Sequence, residues 1–203
     1  MHDLFRDIPG EFLATDAMHA DYEKRFAAPG GLDSWKLERR QHFRDPQFAS
    51  WEAFDRGEWA EALRLLEKER PNLAELRSDT ITRGIDLYRV RVVEEPIVPY
   101  LQWELHLLAL RAEYGEKIRI VGPEAIDRYE SSGELPELLT VGTETVYEFR
   151  YDETGTLIGA SRYEDPDIYT RCTDLMREVY AVGEDMSSFF DRRVTTMDPP
   201  ERR

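Results

Sequence analysis

The sequence predicts an α+β domain: a mixed or mostly antiparallel sheet of about five strands, packed with a long central helix and preceded by an N-terminal helical region. Three observations lead there. Helical apolar spacing dominates as far as Gly84, and period-two alternation then takes over in LYRVRVV, KIRIV, LLTV, TVYEFRY and TLIGASRY. Between the first two of those strands, Pro99 to Gly115 carries an almost complete apolar helical face.

Residues 1–32 read as a helical arm, with Phe12, Leu13, Ala17, Ala20 and Phe26 at loose helical spacing over Glu11 to Phe26 and Ala-Ala-Pro-Gly-Gly as the stop. Residues 33–193 read as a single α+β domain, and 194–203, without periodicity, as a disordered tail. SWKLERRQHF is extended or a turn. Ser50 caps a short helix through Arg56, and Glu58–Arg70 is a second, with Trp59, Ala62, Leu63 and Leu66 on one face. Asn72 with Glu75 resembles a capping box for a third helix, which turns Leu73, Leu76 and Ile81 inward and stops at Gly84.

In LYRVRVV, Tyr88, Val90 and Val92 share one face and Arg89 and Arg91 the other; Pro99 then opens the next helix. KIRIV sets Ile118 and Ile120 opposite Arg119, and Pro123 to Glu130 is a short helix. The last two strands form a hairpin through Asp152 to Gly155, with Gly155 where positive φ is needed. A closing helix, about Asp165 to Val182, turns Ile168, Cys172, Leu175, Met176 and Val179 inward, with Gly183 as its stop.

A chain of 203 residues buries enough surface to fold without disulfides or metals. The single Cys172 excludes an internal disulfide and a cysteine-built zinc site, and points to a reducing cytoplasm. No apolar run is long enough to span a bilayer, and MHDLFRDIPGEF has no signal-peptide pattern. The net charge of −15, from 42 acidic against 27 basic residues, repels nucleic acid and anionic membranes. The basic run Arg39 to Arg44 is therefore read as a solvated edge or a dock for an acidic partner. The histidines at 2, 19, 42 and 106 lack metal-ligand spacing. No phosphate loop, dinucleotide fingerprint or serine elbow is present, so no cofactor is expected.

The Pro99–Gly115 helix holds the candidate site. Tyr100, Trp103, Leu107, Leu110 and Tyr114 adjoin Leu101, Leu105, Leu108 and Ala112, leaving Gln102, His106, Ala109 and Glu113 for water. Glu104 and Arg111 fall near the centre of the buried arc, where a charge is costly unless paired or used. Glu104 is either a carboxyl of raised pKa beside Tyr100 and Trp103, able to act as acid or base, or one half of an ion pair with Arg91 or Arg119. The ion pair is the favoured reading. Arg111, about 10.5 Å further up the axis, is too distant for a simple pair with Glu104. It clamps Glu94, Glu95 or a C-terminal carboxylate, or else holds a ligand acid or phosphate. The candidate set for a ligand or an ion-pair network is thus Arg91, Tyr100, Trp103, Glu104, Arg111 and Arg119, with no catalytic or metal-binding residue assigned.

The stretches WKLERRQHF, SWEAFDRGEWAEALRLLEKER, YRVRVVEEPIVPYLQWEL, AEYGEKIRIV and YEFRYDETGTLIGASRYEDP resemble the actinobacterial domain-of-unknown-function family 6879 from Ser34 to about Phe190. The resemblance implies a cytoplasmic bacterial protein encoded near helix-turn-helix regulators and supplies no catalytic residues. Two functions follow as expectations. The first is a non-enzymatic regulatory or protein-interaction domain with a partner such as a helix-turn-helix regulator. The alternative is a small-molecule-binding protein or enzyme with a charged and aromatic pocket around Glu104 and Arg111.

Overall fold

A computed structural model describes residues 3–5, 8–28 and 30–200. In chain order the elements are β1 (Glu11–Ala14), α1 (Thr15–Ala27), β2 (Ser34–Glu38), α2 (Ala49–Asp55), α3 (Trp59–Leu66), α4 (Arg70–Arg83), β3 (Leu87–Val92) and α5 (Pro99–Glu113). Then follow β4 (Lys117–Val121), β5 (Leu138–Val141), β6 (Thr145–Tyr151), β7 (Leu157–Tyr163), α6 (Pro166–Val182), β8 (Glu184–Asp185) and α7 (Met186–Arg193).

The α+β class holds, but the sheet has eight strands rather than about five, in the order β1-β7-β6-β5-β2-β3-β4-β8. It is mixed: β2, β3 and β4 run parallel and every other pairing is antiparallel. Parallel neighbours need crossovers, which α2–α4 supply between β2 and β3 and α5 between β3 and β4. Three strands were missed. β1 occupies the start of the expected Glu11–Phe26 helix because EFLA pairs along β7, which local spacing cannot disclose. β2 lies in SWKLERRQHF, read as extended or a turn; Trp35 and Leu37 do alternate with Lys36 and Glu38, but two apolar positions are too few to mark a strand. β8 is only two residues long.

Helices cover both faces. On one, Trp35, Leu37, Val90, Val92, Leu138 and Val146 pack against Ile168, Cys172, Met176 and Val179 of α6. On the other, Ile118 and Ile120 meet Leu101, Leu105 and Leu108 of α5, together with Trp51, Ala62 and Leu66 and with Met186 and Phe189 of α7. The β5–β7 end of that face carries α1, whose Met18 is buried with Val141, Tyr147 and Ala160. α5 is not the central helix expected. It lies over β4, beside α3 and α7, and the longest helix is α6 with 17 residues.

Helix ends also depart from expectation. Ser50 lies inside α2, and its hydroxyl donates to the Ala62 carbonyl instead of capping. α4 starts at Arg70, with Pro71 in its first turn, so Asn72 is internal and bonds Glu69. Gly84 does close α4, at φ +69°, yet Ile81 is 61% exposed, on a side of the last turn that none of the described elements covers. Pro123 to Glu130 forms two 3-10 turns, Pro123–Ala125 and Asp127–Tyr129. The Asp152–Gly155 hairpin turn and the Asp165 cap of α6 form, the latter accepting from the Asp167 and Ile168 amides. The expected tail begins on an anchored residue: Val194 is buried, and the Gln102 amide donates to the Asp198 carbonyl at 2.8 Å. Residues 201–203 of that tail lie outside the described residues, as do 1, 2, 6, 7 and 29 of the arm.

Gly159 decides whether the edge forms. Its φ is +144°, and a Cβ there would run into the Leu13 carbonyl oxygen of β1. Gly159→Ala should therefore lower stability by about 2 kcal/mol or more through strain and lost β1–β7 pairing. Denaturant melts measure the loss, and amide exchange should place it at residues 11–14.

Candidate functional site

Strand alternation decides which arginines can meet α5. In the parallel register Glu38 lies beside Arg91, Lys36 beside Arg89 and Arg91 beside Ile120, so these side chains share the α5 face. Arg119 pairs with Val90 and points to the α6 face. There its Nη1 donates to the Gly183 carbonyl at 3.4 Å and its guanidinium lies 5.5 Å from the Tyr180 ring. The sheet itself separates it from Glu104.

Arg91 is fully buried. Its Nε donates to Glu104 Oε2 at 2.8 Å, and its Nη1 donates to the carbonyls of Glu38 and Val92, each at 3.1 Å. The Tyr100 hydroxyl donates to Glu104 Oε1 at 3.2 Å, so both carboxylate oxygens are engaged. Of the buried guanidinium's nitrogens, Arg91 Nη2 has no hydrogen-bond partner among the described residues. Trp103 takes no part in the ion pair; its indole donates to Ser50 Oγ at 2.9 Å and its ring stacks on Phe54.

Arg111 belongs to a different set. It donates through Nε to Glu116, whose other oxygen accepts from Arg89 Nε at 2.6 Å. Arg89 Nη1 donates to Glu38 Oε2 at 2.6 Å, and Lys36 Nζ lies 2.6 Å from Glu38 Oε1. Arg111 thus ends a buried seam Lys36–Glu38–Arg89–Glu116–Arg111. Neither Glu94 nor Glu95 is its partner, since Arg39 takes the first and Arg193 the second. A further carboxylate, Glu137, is buried and accepts from the backbone amides of Arg39 at 3.0 Å and Arg40 at 2.7 Å.

Burial and charge act on these groups in opposite directions. Burial pushes the Glu104 carboxyl up against the pull of Arg91. Burial also opposes ionisation of Glu38, but Arg89, Lys36 and Arg91 outweigh it and hold that carboxyl well below the usual range. Glu116 is likewise desolvated, yet Arg111 and Arg89 bring it down to about 2. For Glu137 burial wins over the attraction of Arg91 and the two amides, and its carboxyl is pushed up to about 7.

Sequence reasoning missed Glu38, Arg89, Glu116 and Glu137. Alternation in LYRVRVV does put Arg89 beside Arg91, a signal that was available. Nothing local pairs Glu137 with anything, and Glu116 meets Arg111 across the end of the helix, where the helical repeat no longer places side chains. The expected solvent stripe of α5 is also partly covered: Gln102 is buried beneath the chain after α7, and His106 sits between Trp59 and Phe190. Their cover comes from α3 and α7, remote in sequence.

Chemically the Glu104 site is closed. Arg91, Tyr100, Trp103 and Glu104 are each at most 6% exposed, and neither of two surface cavities, at α4–α5 and α3–α5, is lined by them. Cys172 lies across the sheet, its thiol pushed up to about 12 by burial. Among the described residues no group of three histidine, cysteine, aspartate or glutamate side chains could hold a metal ion.

Fold and seam together define an α+β domain with an ionic layer between its sheet and one helical layer. The chain belongs to the family described as Domain of unknown function (DUF6879), whose model matches residues 20–191. No curated protein gives a significant match.

Glu104→Gln leaves Arg91 buried without its carboxylate and should cost about 3–5 kcal/mol. The double change Arg91→Met with Glu104→Leu should recover most of that, as a chemical-denaturation cycle would read. Stability should also pass through a maximum near pH 5. Glu38 and Glu116 are depressed below their ordinary 4.5, so their contribution is full above that pH and is lost on acidification toward 2. Glu137 is raised, so its contribution is full below 4.5 and is lost as pH rises through about 7. Glu137→Gln should flatten the decline between pH 5 and 8, worth on the order of 1–3 kcal/mol, in melts across that range.

Proposed function

We propose that this domain is a non-enzymatic regulatory or protein-interaction module of the bacterial cytoplasm, recognising a positively charged protein such as a helix-turn-helix regulator. One observation carries the reading. The side chains best suited to chemistry, Glu104 with Arg91 and Tyr100, satisfy one another inside the protein. A pocket for a small substrate would need an opening beside Glu104, and the closed packing there works against that alternative.

The surface supports the same reading. With a net charge of −15 the protein attracts cationic partners over a Debye length. Glu52 and Asp55 of α2 and Glu75 of α4 are exposed and make no ion pair among the described residues, so they are available to a basic surface. Electrostatic complementarity of this kind governs association rate and partner choice more than affinity.

Calorimetry with a helix-turn-helix regulator from the source genome tests the proposal. We expect binding that weakens as salt rises, and at least about tenfold loss when Glu52, Asp55 and Glu75 are together replaced by lysine. An absence of binding, or binding indifferent to salt and to these changes, removes the proposed partner.

A further inference from the structure

Where α4 faces the turn after α5, the seam reaches the surface with positive charge to spare. Arg77, Arg111, Thr80, Gly115 and Glu116 line an indentation there, walled on its apolar side by leucines that include Leu73 and Leu76. Its enclosed part is about 10 Å³, room for one water molecule or one oxygen of a larger group.

The two arginines differ in how they are committed. Arg111 gives Nε to Glu116 and makes no other side-chain hydrogen bond among the described residues. Arg77 makes no ion pair or side-chain hydrogen bond among the described residues, although it is only half-exposed. Its guanidinium lies against the turn after α5. Gly115 has φ +89°, and a Cβ there would meet Arg77 Cζ and Nε at 2.8 Å, so the guanidinium occupies space that only glycine leaves.

Charge along the seam gives the class of ligand. Lys36, Arg89 and Arg111 stand against Glu38 and Glu116, which leaves one positive charge over, and Arg77 adds a second at the same end. In a protein of net charge −15, a cleft lined by two guanidinium groups against one carboxylate is a local exception. Guanidinium forks match the oxygens of phosphate, and the apolar wall strengthens the attraction by excluding water.

We propose that this cleft is an oxyanion site, in which Arg77 and Arg111 together hold a phosphoryl group with one terminal oxygen seated in the indentation. A dianion neutralises the surplus; a monocarboxylate leaves half of it. Glu116 is the positioning residue, since its bonds to Arg89 and Arg111 orient the Arg111 fork. The site uses none of the three carboxylates assigned to the protein partner, although Glu75 stands on the same helix, and phosphate titration tests it without that partner.

The test is calorimetric titration of the full chain with inorganic phosphate at constant ionic strength, with acetate titrated in parallel. We expect saturable phosphate binding at least about tenfold tighter than acetate, and a loss of about tenfold or more in Arg77→Gln. The variant's melting temperature without phosphate should match the parent, because Arg77 has no ion pair to lose. Glycerol phosphate separates the sources: tighter binding than inorganic phosphate assigns a phosphate monoester, and equal binding assigns the free ion. Acetate binding as tight as phosphate, or phosphate affinity unchanged in Arg77→Gln, overturns the site.

Discussion

Charges taken out of water must find charges of the opposite sign, and in this protein that demand couples the sheet to the helices on one face. Lys36 and Arg89 lie directly beside each other in the β2–β3 register, a like-charge pair that would push the strands apart. Glu38, two residues further along β2, reaches back to both. Glu116 then joins Arg89 to the end of α5, while Glu104 joins Arg91 to its middle. A shift of β2 against β3 by one residue would turn Lys36 and Glu38 to the opposite face and take from Arg89 one of its two carboxylates. The seam therefore fixes register and helix placement together.

The two faces of the sheet divide this labour. The α6 face is mainly apolar, with burial as its driving force, and its buried carboxylate Glu148 accepts from the Tyr163 hydroxyl. Opposite it, α5 supplies leucines against Ile118 and Ile120 and a carboxylate against Arg91. Buried ion pairs gain little net stability over apolar packing, because desolvation offsets their attraction. What they impose is geometry: a misplaced charge in this layer costs far more than a misplaced methyl group. That favours a structural account of Glu104, whereas Arg111 ends the same seam at a cleft open to other molecules.

Much of the site was legible in part. Period-two spacing put Arg89 and Arg91 on one strand face, and helical spacing turned Glu104 and Arg111 inward. Both facts are local, since they follow from the backbone repeat alone. Arg119 obeys the same rule and lands on the opposite side, because Ile118 and Ile120 claim the α5 face. The partners of Arg91 and Arg89 lie 13, 27 or 53 positions away, and no repeat length encodes those distances.

By itself the sequence determined the α+β class, the five strands with clear alternation, the hairpin at Asp152–Gly155, the cap at Asp165 and the inward turn of Glu104, all of which depend on neighbours within a few residues. Tertiary structure alone decided the other three strands, the mixed order of the sheet, the cover over Gln102 and His106, the choice of Arg91 over Arg119 for Glu104 and the partners of Arg89 and Glu137. β1 is a strand only because β7 offers it an edge, and Glu116 bridges two guanidinium groups only because Arg89 and Arg111 converge on it. Such choices belong to the contact and not to the segment, since the free energy that settles them is released only when distant parts of the chain meet.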